Sequence, residues 1–117
     1  MTDKIKKGKD GEEAAAQFLM NKGYEIIERN FRFRRAEIDL IATKDNWLIF
    51  VEVKTRTSTA YGHPESFVDQ HKISNVLLAA DEYIHQHNWK GQVRYDVVSV
   101  QLTNRNTEIV HFEDAFY

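Results

Sequence analysis

The sequence predicts a single α/β domain whose secondary-structure elements follow the order α-β-β-β-α-β-β. Three observations lead to this fold class: two stretches with helical spacing of apolar residues, several short runs rich in β-branched and aromatic residues, and a length of 117 residues with 42% hydrophobic content. A chain of this length buries one ordinary core and is too short for two domains of typical size. We therefore expect residues 1–117 to form one domain.

Two segments have the periodicity of amphipathic helices. Gly11–Lys22 carries apolar residues at positions i, i+3 and i+4, and Gly23 directly after it is a typical helix stop. The second segment has the clearest stripe in the sequence, formed by Ile73, Val76, Leu77, Ala80 and Ile84. Arg56–His63 shows no periodicity and predicts a loop, and Pro64 is well placed to open the second helix.

The remaining apolar runs predict strands. They are Tyr24–Ile27, Ala36–Thr43 and Trp47–Val53 between the helices, then Gln92–Leu102 and a segment around Phe112. Lys44–Asn46 has the composition of a tight turn, so the second and third strands are predicted to form a hairpin.

The composition argues against several classes of protein. The absence of cysteine excludes a disulfide framework and a thiolate metal site. The lysine-rich start leads into no apolar stretch, and no segment approaches the roughly 18 apolar residues of a membrane span. We expect a cytoplasmic protein that has no membrane partner.

The formal net charge of -2 is unfavourable for binding nucleic acid, but the charges are unevenly distributed. Residues 1–56 contain 12 Lys and Arg against 10 Asp and Glu, whereas residues 57–117 contain 4 against 8. Positive charge is therefore concentrated in the first half. Divalent cations held by acids there would make the local field more positive still.

The third predicted strand carries two charged residues on one face. Because side chains alternate along a strand, Glu52 and Lys54 point the same way as Leu48 and Phe50. A buried charge without a partner costs several kcal/mol or loses its charge. The predicted hairpin brings Asp39 of the preceding strand beside this face, so two carboxylates are expected to meet.

Paired carboxylates of this kind suit a hard divalent cation such as Mg2+, which prefers oxygen ligands. Asp39, Glu52 and the backbone carbonyl of Val53 form the expected ligand set, and Lys54 is placed to stabilise charge on a phosphate. The alternative is an ordinary ion pair between Glu52 and Lys54 on a solvated sheet face. For an isolated Glu-x-Lys pattern that alternative is the commoner outcome.

The chain as a whole resembles uncharacterised protein family 0102, predicted endonucleases related to archaeal Holliday junction resolvases within the PD-(D/E)XK superfamily. The resemblance covers nearly the whole chain. It rests on Gly8-x-x-Gly11-Glu12-x-x-Ala15, Arg29-Asn30-Phe31-Arg32, Glu37-Ile38-Asp39-Leu40-Ile41, Phe50-Val51-Glu52-Val53-Lys54-x-Arg56, Tyr61-Gly62, Lys72, Tyr95-Asp96-Val97-Val98 and Ala115-Phe116. One departure is Ala36, where the family usually has glycine, and this removes no catalytic group.

The resemblance implies a mixed central β-sheet flanked by helices, with a restriction-endonuclease-like core. It also implies that Asp39 and Glu52 are metal ligands, that Lys54 is the catalytic lysine, and that Glu12 reaches the site from the first helix. Glu13 is the alternative to Glu12, because the two are neighbours on the helix.

The expected activity follows from the same resemblance. The chain would be a Mg2+-dependent endonuclease, with Mn2+ as a substitute, that hydrolyses phosphodiester bonds with a metal-bound water as nucleophile. DNA is the expected substrate, and a branched substrate would require two sites and hence a homodimer. A non-catalytic nucleic-acid-binding module on the same fold is the alternative, and no small-molecule cofactor is expected.

Five basic residues are candidates for contact with nucleic acid. Arg32, Arg34 and Arg35 interleave with Phe31 and Phe33, which is the composition of a surface that contacts phosphates and stacks on bases. The same pattern also fits an amphipathic edge strand with phenylalanines inward and arginines in water. The other two candidates are Arg56 and Lys72, the latter having a solvated helix face as its alternative.

Overall fold

The computed structural model describes residues 3–56, 70–102 and 106–116, with side chains from Lys9 onwards. The predicted order of elements is confirmed. In chain order they are α1 (Asp3–Asn21), β1 (Glu25–Phe33), β2 (Ala36–Lys44), β3 (Trp47–Arg56), α2 (Gln70–His87), β4 (Gln92–Leu102) and β5 (Thr107–Phe112). The predicted loop Arg56–His63 is wrong at its first residue, because Arg56 still belongs to β3. The rest of that loop and the predicted helix start at Pro64 lie outside the described residues.

Three elements extend several residues beyond their predicted bounds, among them β3, which continues to Arg56 instead of ending at Val53. Helix α1 begins at Asp3 instead of Gly11, because its lysine-rich first turns contain too few apolar residues to show a periodicity. Strand β1 continues to Phe33 instead of ending at Ile27, because its arginines break the apolar run that indicates a strand.

The five strands form one mixed sheet in the order β1-β2-β3-β4-β5. Strands β3 and β4 are parallel, and the other neighbouring pairs are antiparallel. The crossover between the two parallel strands contains α2, as a parallel pair requires. The resemblance implied a mixed sheet flanked by helices, and that prediction is confirmed.

The two helices cover opposite faces of the sheet, so each face has its own apolar core. The first cluster, here the α1 cluster, joins Ala15, Ala16 and Leu19 of α1 to residues such as Ile49 and Val51 of β3. The second, here the α2 cluster, joins the buried side of α2 to the alternate residues of the sheet, among them Leu48 and Phe50. The alternation predicted for β3 is thus confirmed.

The buried stripe of α2 differs in detail from the predicted one. Val76 and Ala80 are buried as expected, whereas Leu77 is only half-buried and Ala79 and Tyr83 take core positions. The apolar face is therefore rotated away from Leu77. Tyr83 was missed because its hydroxyl makes it less apolar than leucine, although its ring packs edge-on against Phe50.

Gly23 ends α1 as predicted. It has a φ of 94°, and the amides of Gly23 and Tyr24 donate to the carbonyls of Met20 and Leu19 respectively. This pair of hydrogen bonds is the Schellman arrangement, which favours glycine because the left-handed conformation is costly for other residues. No helix in the described part of the chain has both the length and the apolar character that a membrane span needs.

Gly11 allows α1 to approach β3 closely. A Cβ atom at this position would lie only 2.0 Å from Oγ1 of Thr55 and 3.0 Å from its Cβ. The helix backbone therefore packs directly against the strand. This close approach brings the next residue, Glu12, towards the end of the sheet that carries Asp39.

Replacing Gly11 with alanine should therefore destabilise the fold, although alanine is the better helix former. We expect overpacking against Thr55 to lower the free energy of unfolding by roughly 1–3 kcal/mol, measured by urea denaturation. Adding Thr55→Ala should restore part of that loss because it removes the nearest atom. A Gly11→Ala variant as stable as the parent chain would contradict this packing argument.

Candidate active site

The side chains of β2 stop alternating between the two faces of the sheet at Asp39. Ile38 and Ile41 both pack in the α2 cluster, whereas Leu40 packs in the α1 cluster, so strict alternation fails between Ile38 and Leu40. The pairing partners Arg29–Leu40 and Phe31–Ile38 flank this point, and Asn30 between them has a φ of 51°. The irregular backbone on both strands aims the Asp39 side chain towards β3.

The Asp39 carboxylate accepts a hydrogen bond from β3 just beyond the point where the backbone pairing of β2 with β3 stops. The paired register between these strands begins at Leu40 and Val51. Beyond it, the backbone amide of Val53 donates to Oδ2 of Asp39 at 2.8 Å. A side chain has thus replaced a backbone carbonyl as acceptor, which holds Asp39 beside the strand that carries Glu52.

The expected meeting of two carboxylates is observed. Asp39 and Glu52 are 8% and 6% exposed, the lowest values among the acids of this end of the sheet. Burial and the adjacent negative charge of Glu52 raise the pKa of Asp39 to about 7, against the opposing effects of the Val53 amide and Lys72. Two charges forced together at low dielectric produce this shift.

Lys72 of α2 is the cation that faces the pair. Its Nζ lies 3.3 Å from Oε2 of Glu52, and its side chain is 37% exposed. That oxygen is buried and accepts no well-aligned hydrogen bond, so the contact is an ion pair without hydrogen-bond geometry. The described partner of Glu52 is therefore Lys72 and not Lys54, the partner assumed in the alternative interpretation of Glu-x-Lys.

Lys54 lies two residues beyond Glu52 on β3 and pairs in register with Ser99 of β4. The alternation of β3 places both charged side chains on the α2 side of the sheet. Lys54 is half-buried, whereas Glu52 is buried. The lysine therefore stands nearer to solvent than the carboxylates.

Of the two candidate glutamates of α1, it is Glu12 that turns towards Asp39. Glu12 is half-buried and accepts a hydrogen bond of 3.2 Å from Nδ2 of Asn30, whereas Glu13 is exposed and pairs with Arg29. Partial burial raises the pKa of Glu12, and the charges of Asp39 and Glu37 add to that effect. Glu12 therefore belongs to the electrostatic surroundings of the pair.

Within the described residues, no three Asp, Glu, His or Cys side chains converge on one point. The acidic centre consists of the Asp39–Glu52 pair, with Glu12 outside it. An oxygen ligand set for a cation therefore needs backbone or solvent oxygens besides these carboxylates, and the Val53 carbonyl is the backbone group expected for that role.

The arginine-rich segment forms the edge of the sheet. Phe31 and Phe33 pack against the α2 cluster, and the guanidinium of Arg32 is 77% exposed and pairs with Glu37 at 2.8 Å. Arg34 and Arg35 are exposed in the turn that follows. The amphipathic edge strand is thus observed, and it leaves these arginines facing outwards. Arg56 lies at the end of β3 and is half-buried.

A polar network on the α1 side of the sheet was missed by sequence reasoning. Asp96 is fully buried and accepts hydrogen bonds from Arg94 and His111 at 2.7–2.9 Å and from the amide of Asp114. Burial alone would raise the pKa of Asp96, but these bonds outweigh it and lower the pKa. Its partner His111 carries no local signal, because the two residues lie on different strands.

Comparison with known proteins supports the resemblance. Residues 11–100 match the sequence model of the family described as uncharacterised protein family UPF0102. UPF0102 proteins of Flavobacterium psychrophilum, Syntrophomonas wolfei and Persephonella marina are 44%, 45% and 42% identical to this chain. The alignments cover 94%, 91% and 94% of this chain and 92%, 93% and 92% of the respective relatives.

Among solved structures, that of Pyrococcus furiosus SfsA in complex with Ca2+ shows a weak similarity. It has a TM-score of 0.34 and 17% identity, over 97% of this chain and 64% of that one. Values this low assign neither a fold family nor an activity. The sequence matches are different in kind, because they extend over nearly the full length of both partners. The chain belongs to uncharacterised protein family UPF0102.

Proposed function

We propose that this chain is a metal-dependent endonuclease that hydrolyses phosphodiester bonds in nucleic acid, with DNA as the expected substrate. One observation carries the proposal. Asp39 and Glu52 are buried side by side, and Oε2 of Glu52 has no well-aligned hydrogen-bond donor. Each buried charge costs several kcal/mol, and a cation bound between the two carboxylates would offset that cost.

The donor set fits a hard divalent cation. Asp39 and Glu52, with the Val53 carbonyl, would hold Mg2+ or Mn2+, since these ions prefer oxygen ligands. When bound, the cation would polarise a phosphoryl oxygen and lower the pKa of a water molecule. It would also relieve the repulsion that keeps the pKa of Asp39 high.

The other charged groups have distinct roles in this proposal. Lys54, nearer to solvent on the same face, stabilises the negative charge that develops on the phosphate as the bond breaks. Lys72 compensates the charge of Glu52 in the resting protein. Glu12 is held by Asn30 close to Asp39, where its raised pKa suits it to orient or receive a proton from the attacking water.

Phosphates further along the substrate would be contacted by basic residues around the site. Arg32, Arg34 and Arg35 on the sheet edge would provide a sequence-independent contact. Lys72 faces Glu52, and Arg56 lies four residues beyond Glu52 at the end of β3. If the substrate is branched, two cuts require two sites, and the protein would act as a homodimer.

The ion pair between Lys72 and Glu52 favours a second candidate function. A lysine that neutralises one of the two carboxylates does part of what a cation would do. The chain would then be a nucleic-acid-binding module that keeps the nuclease fold without cleaving. Its binding would persist in EDTA and weaken with rising salt.

A cleavage panel separates the two candidates. Plasmid, single-stranded and branched DNA are incubated with the protein in Mg2+, Mn2+ or EDTA, together with a Glu52→Gln variant. We expect cleavage only with a divalent cation and only by the parent chain, and a Mn2+ anomalous peak between Asp39 and Glu52 in soaked crystals. Salt-sensitive binding with neither cleavage nor a Mn2+ peak would establish the binding module instead.

A further inference from the structure

A cavity of about 260 Å³ opens between the turn that joins β1 to β2 and the exposed side of α2. Pockets for drug-sized ligands commonly measure roughly 300–1,000 Å³, so this one suits a single small ring system. The residues that line it are Phe33, Arg34, Arg35, Ala36, Asn75 and Leu78.

The walls combine apolar surface with one amide. Phe33, Ala36 and Leu78 provide the apolar part, and Leu78 is 45% exposed. Asn75 contributes an amide that both donates and accepts hydrogen bonds. A planar ring with a polar edge is the chemical group that matches such walls.

Two cations stand at the mouth of the cavity. Arg34 and Arg35 are the two residues of the β1–β2 turn, since Phe33 pairs with Ala36, and both side chains are exposed. The guanidinium of Arg34 lies 5.1 Å from the centre of the Phe33 ring. The two arginines would therefore favour a ring system that has negative charge attached close to it. A nucleobase with its neighbouring phosphates is such a group.

The cavity lies on the same side of the sheet as the proposed active site. Ala36 and Phe33 pack in the α2 cluster, and Ala36 precedes Asp39 by three strand residues, about 10 Å. Asn75 lies one helical turn, about 5 Å along the axis, beyond Lys72. A separation of about 10 Å corresponds to about three base steps of a DNA strand at roughly 3.4 Å each.

We propose that this cavity receives one unpaired nucleobase of a DNA substrate while Arg34 and Arg35 contact the phosphates beside it. The inference rests on the proposed function for the choice of nucleic acid as ligand. A base enters a concave pocket only when it is out of the helical stack, and an unpaired base costs least to extrude. The favoured substrate is therefore duplex DNA with an unpaired nucleotide a few steps from the bond to be cut.

Binding without cleavage tests this assignment. Fluorescence anisotropy in EDTA compares three duplexes of one sequence: fully paired, with a single unpaired adenine, and with an abasic residue at the same place. We expect the unpaired adenine to improve affinity by roughly 5- to 100-fold over the other two, since stacking of one base supplies that much. 2-Aminopurine in place of the adenine should change its fluorescence on binding.

Leu78→Asp is the variant that tests the cavity, because it places a negative charge on the cavity wall at a partly exposed position. The matched control is Gln86→Asp, which makes the same charge change at an exposed position two turns further along α2. We expect Leu78→Asp to abolish the preference for the unpaired adenine and the 2-aminopurine signal, and Gln86→Asp to retain both. Thermal unfolding confirms that each variant is folded, and Leu78→Ser replaces Leu78→Asp if the latter is not.

The outcomes separate this inference from the proposed function. Metal-dependent cleavage without any preference for the unpaired adenine would overturn the assignment of the cavity alone. A preference that Leu78→Asp abolishes, without cleavage in any metal, would support the cavity and refute the nuclease. A preference that survives Leu78→Asp, or no binding to any of the duplexes, would also overturn the assignment.

Discussion

Replacing Lys54 with alanine is expected to reduce metal-dependent cleavage of DNA by roughly 100- to 1,000-fold while the fold stays intact. That is the cost of removing one group that stabilises charge developing in a transition state. Lys54 is half-buried on the side of β3 that also carries Glu52, so its side chain shares a face with that carboxylate and is still accessible from solvent. Single-turnover rates with saturating DNA provide the measurement.

Two further variants make the Lys54 result specific. Lys54→Arg keeps the positive charge on a larger, planar group and should recover only part of the rate. Lys90→Ala removes an exposed lysine that follows α2, at the other end of the sheet, and should cleave like the parent chain. Unchanged cleavage by Lys54→Ala would contradict the role proposed for this lysine.

Asp39→Asn should stabilise the fold at pH 8 in EDTA, by roughly 1–4 kcal/mol. In the unfolded chain this carboxyl ionises near its ordinary pKa of 3.8, whereas in the folded chain its pKa is about 7. Between these values the folded state binds more protons, so its stability falls as pH rises and levels off above about pH 7. The asparagine is neutral throughout and still offers an oxygen to the Val53 amide.

Urea denaturation from pH 4 to pH 8 checks the sign of this effect. The quantity to compare is the difference between the variant and the parent chain, because Asp96 and other acids titrate in both. That difference should be near zero at pH 4 and largest at pH 8, whereas Asp81→Asn, at an exposed position on α2, should show none. An Asp39→Asn variant that is less stable than the parent at pH 8 would contradict the prediction that the ionised Asp39 carboxylate destabilises the fold.

Adding Mn2+ at pH 8 should stabilise the parent chain more than the Asp39→Asn variant. A cation bound by Asp39 and Glu52 stabilises the folded parent chain in proportion to its binding, because the unfolded chain lacks the site. The Asp39→Asn variant has lost one charged ligand and should respond weakly. In the proposed function, the two buried carboxylates lower the stability of the metal-free fold and bind the cation.

Local periodicity was sufficient to predict several features of this protein. The order of the elements, the helix stop at Gly23 and the shared orientation of Glu52 and Lys54 all depend on residues close together in the chain. Helical and strand spacing are properties of the backbone itself, so they can be recognised in the sequence before the packing partners of each element are known. The limits of α1 and β1 were less readable, because their charged ends have no apolar pattern.

Contacts between distant segments were decided only by the tertiary structure. The choice of Glu12 over Glu13 follows from Asn30 and from the close approach at Gly11, and the pairing of Glu52 with Lys72 follows from how α2 crosses the sheet. None of these contacts has a local signal, because each depends on where another element packs.

The same division between sequence and tertiary structure applies to Asp39 and Glu52. The sequence by itself determined that Asp39 and Glu52 lie on adjacent strands, because a short turn joins them. Their burial, the break in alternation at Asp39 and the resulting pKa were decided by the tertiary structure. The physical reason is that desolvation and repulsion between charges depend on distance in space, and strand periodicity specifies only direction along the chain.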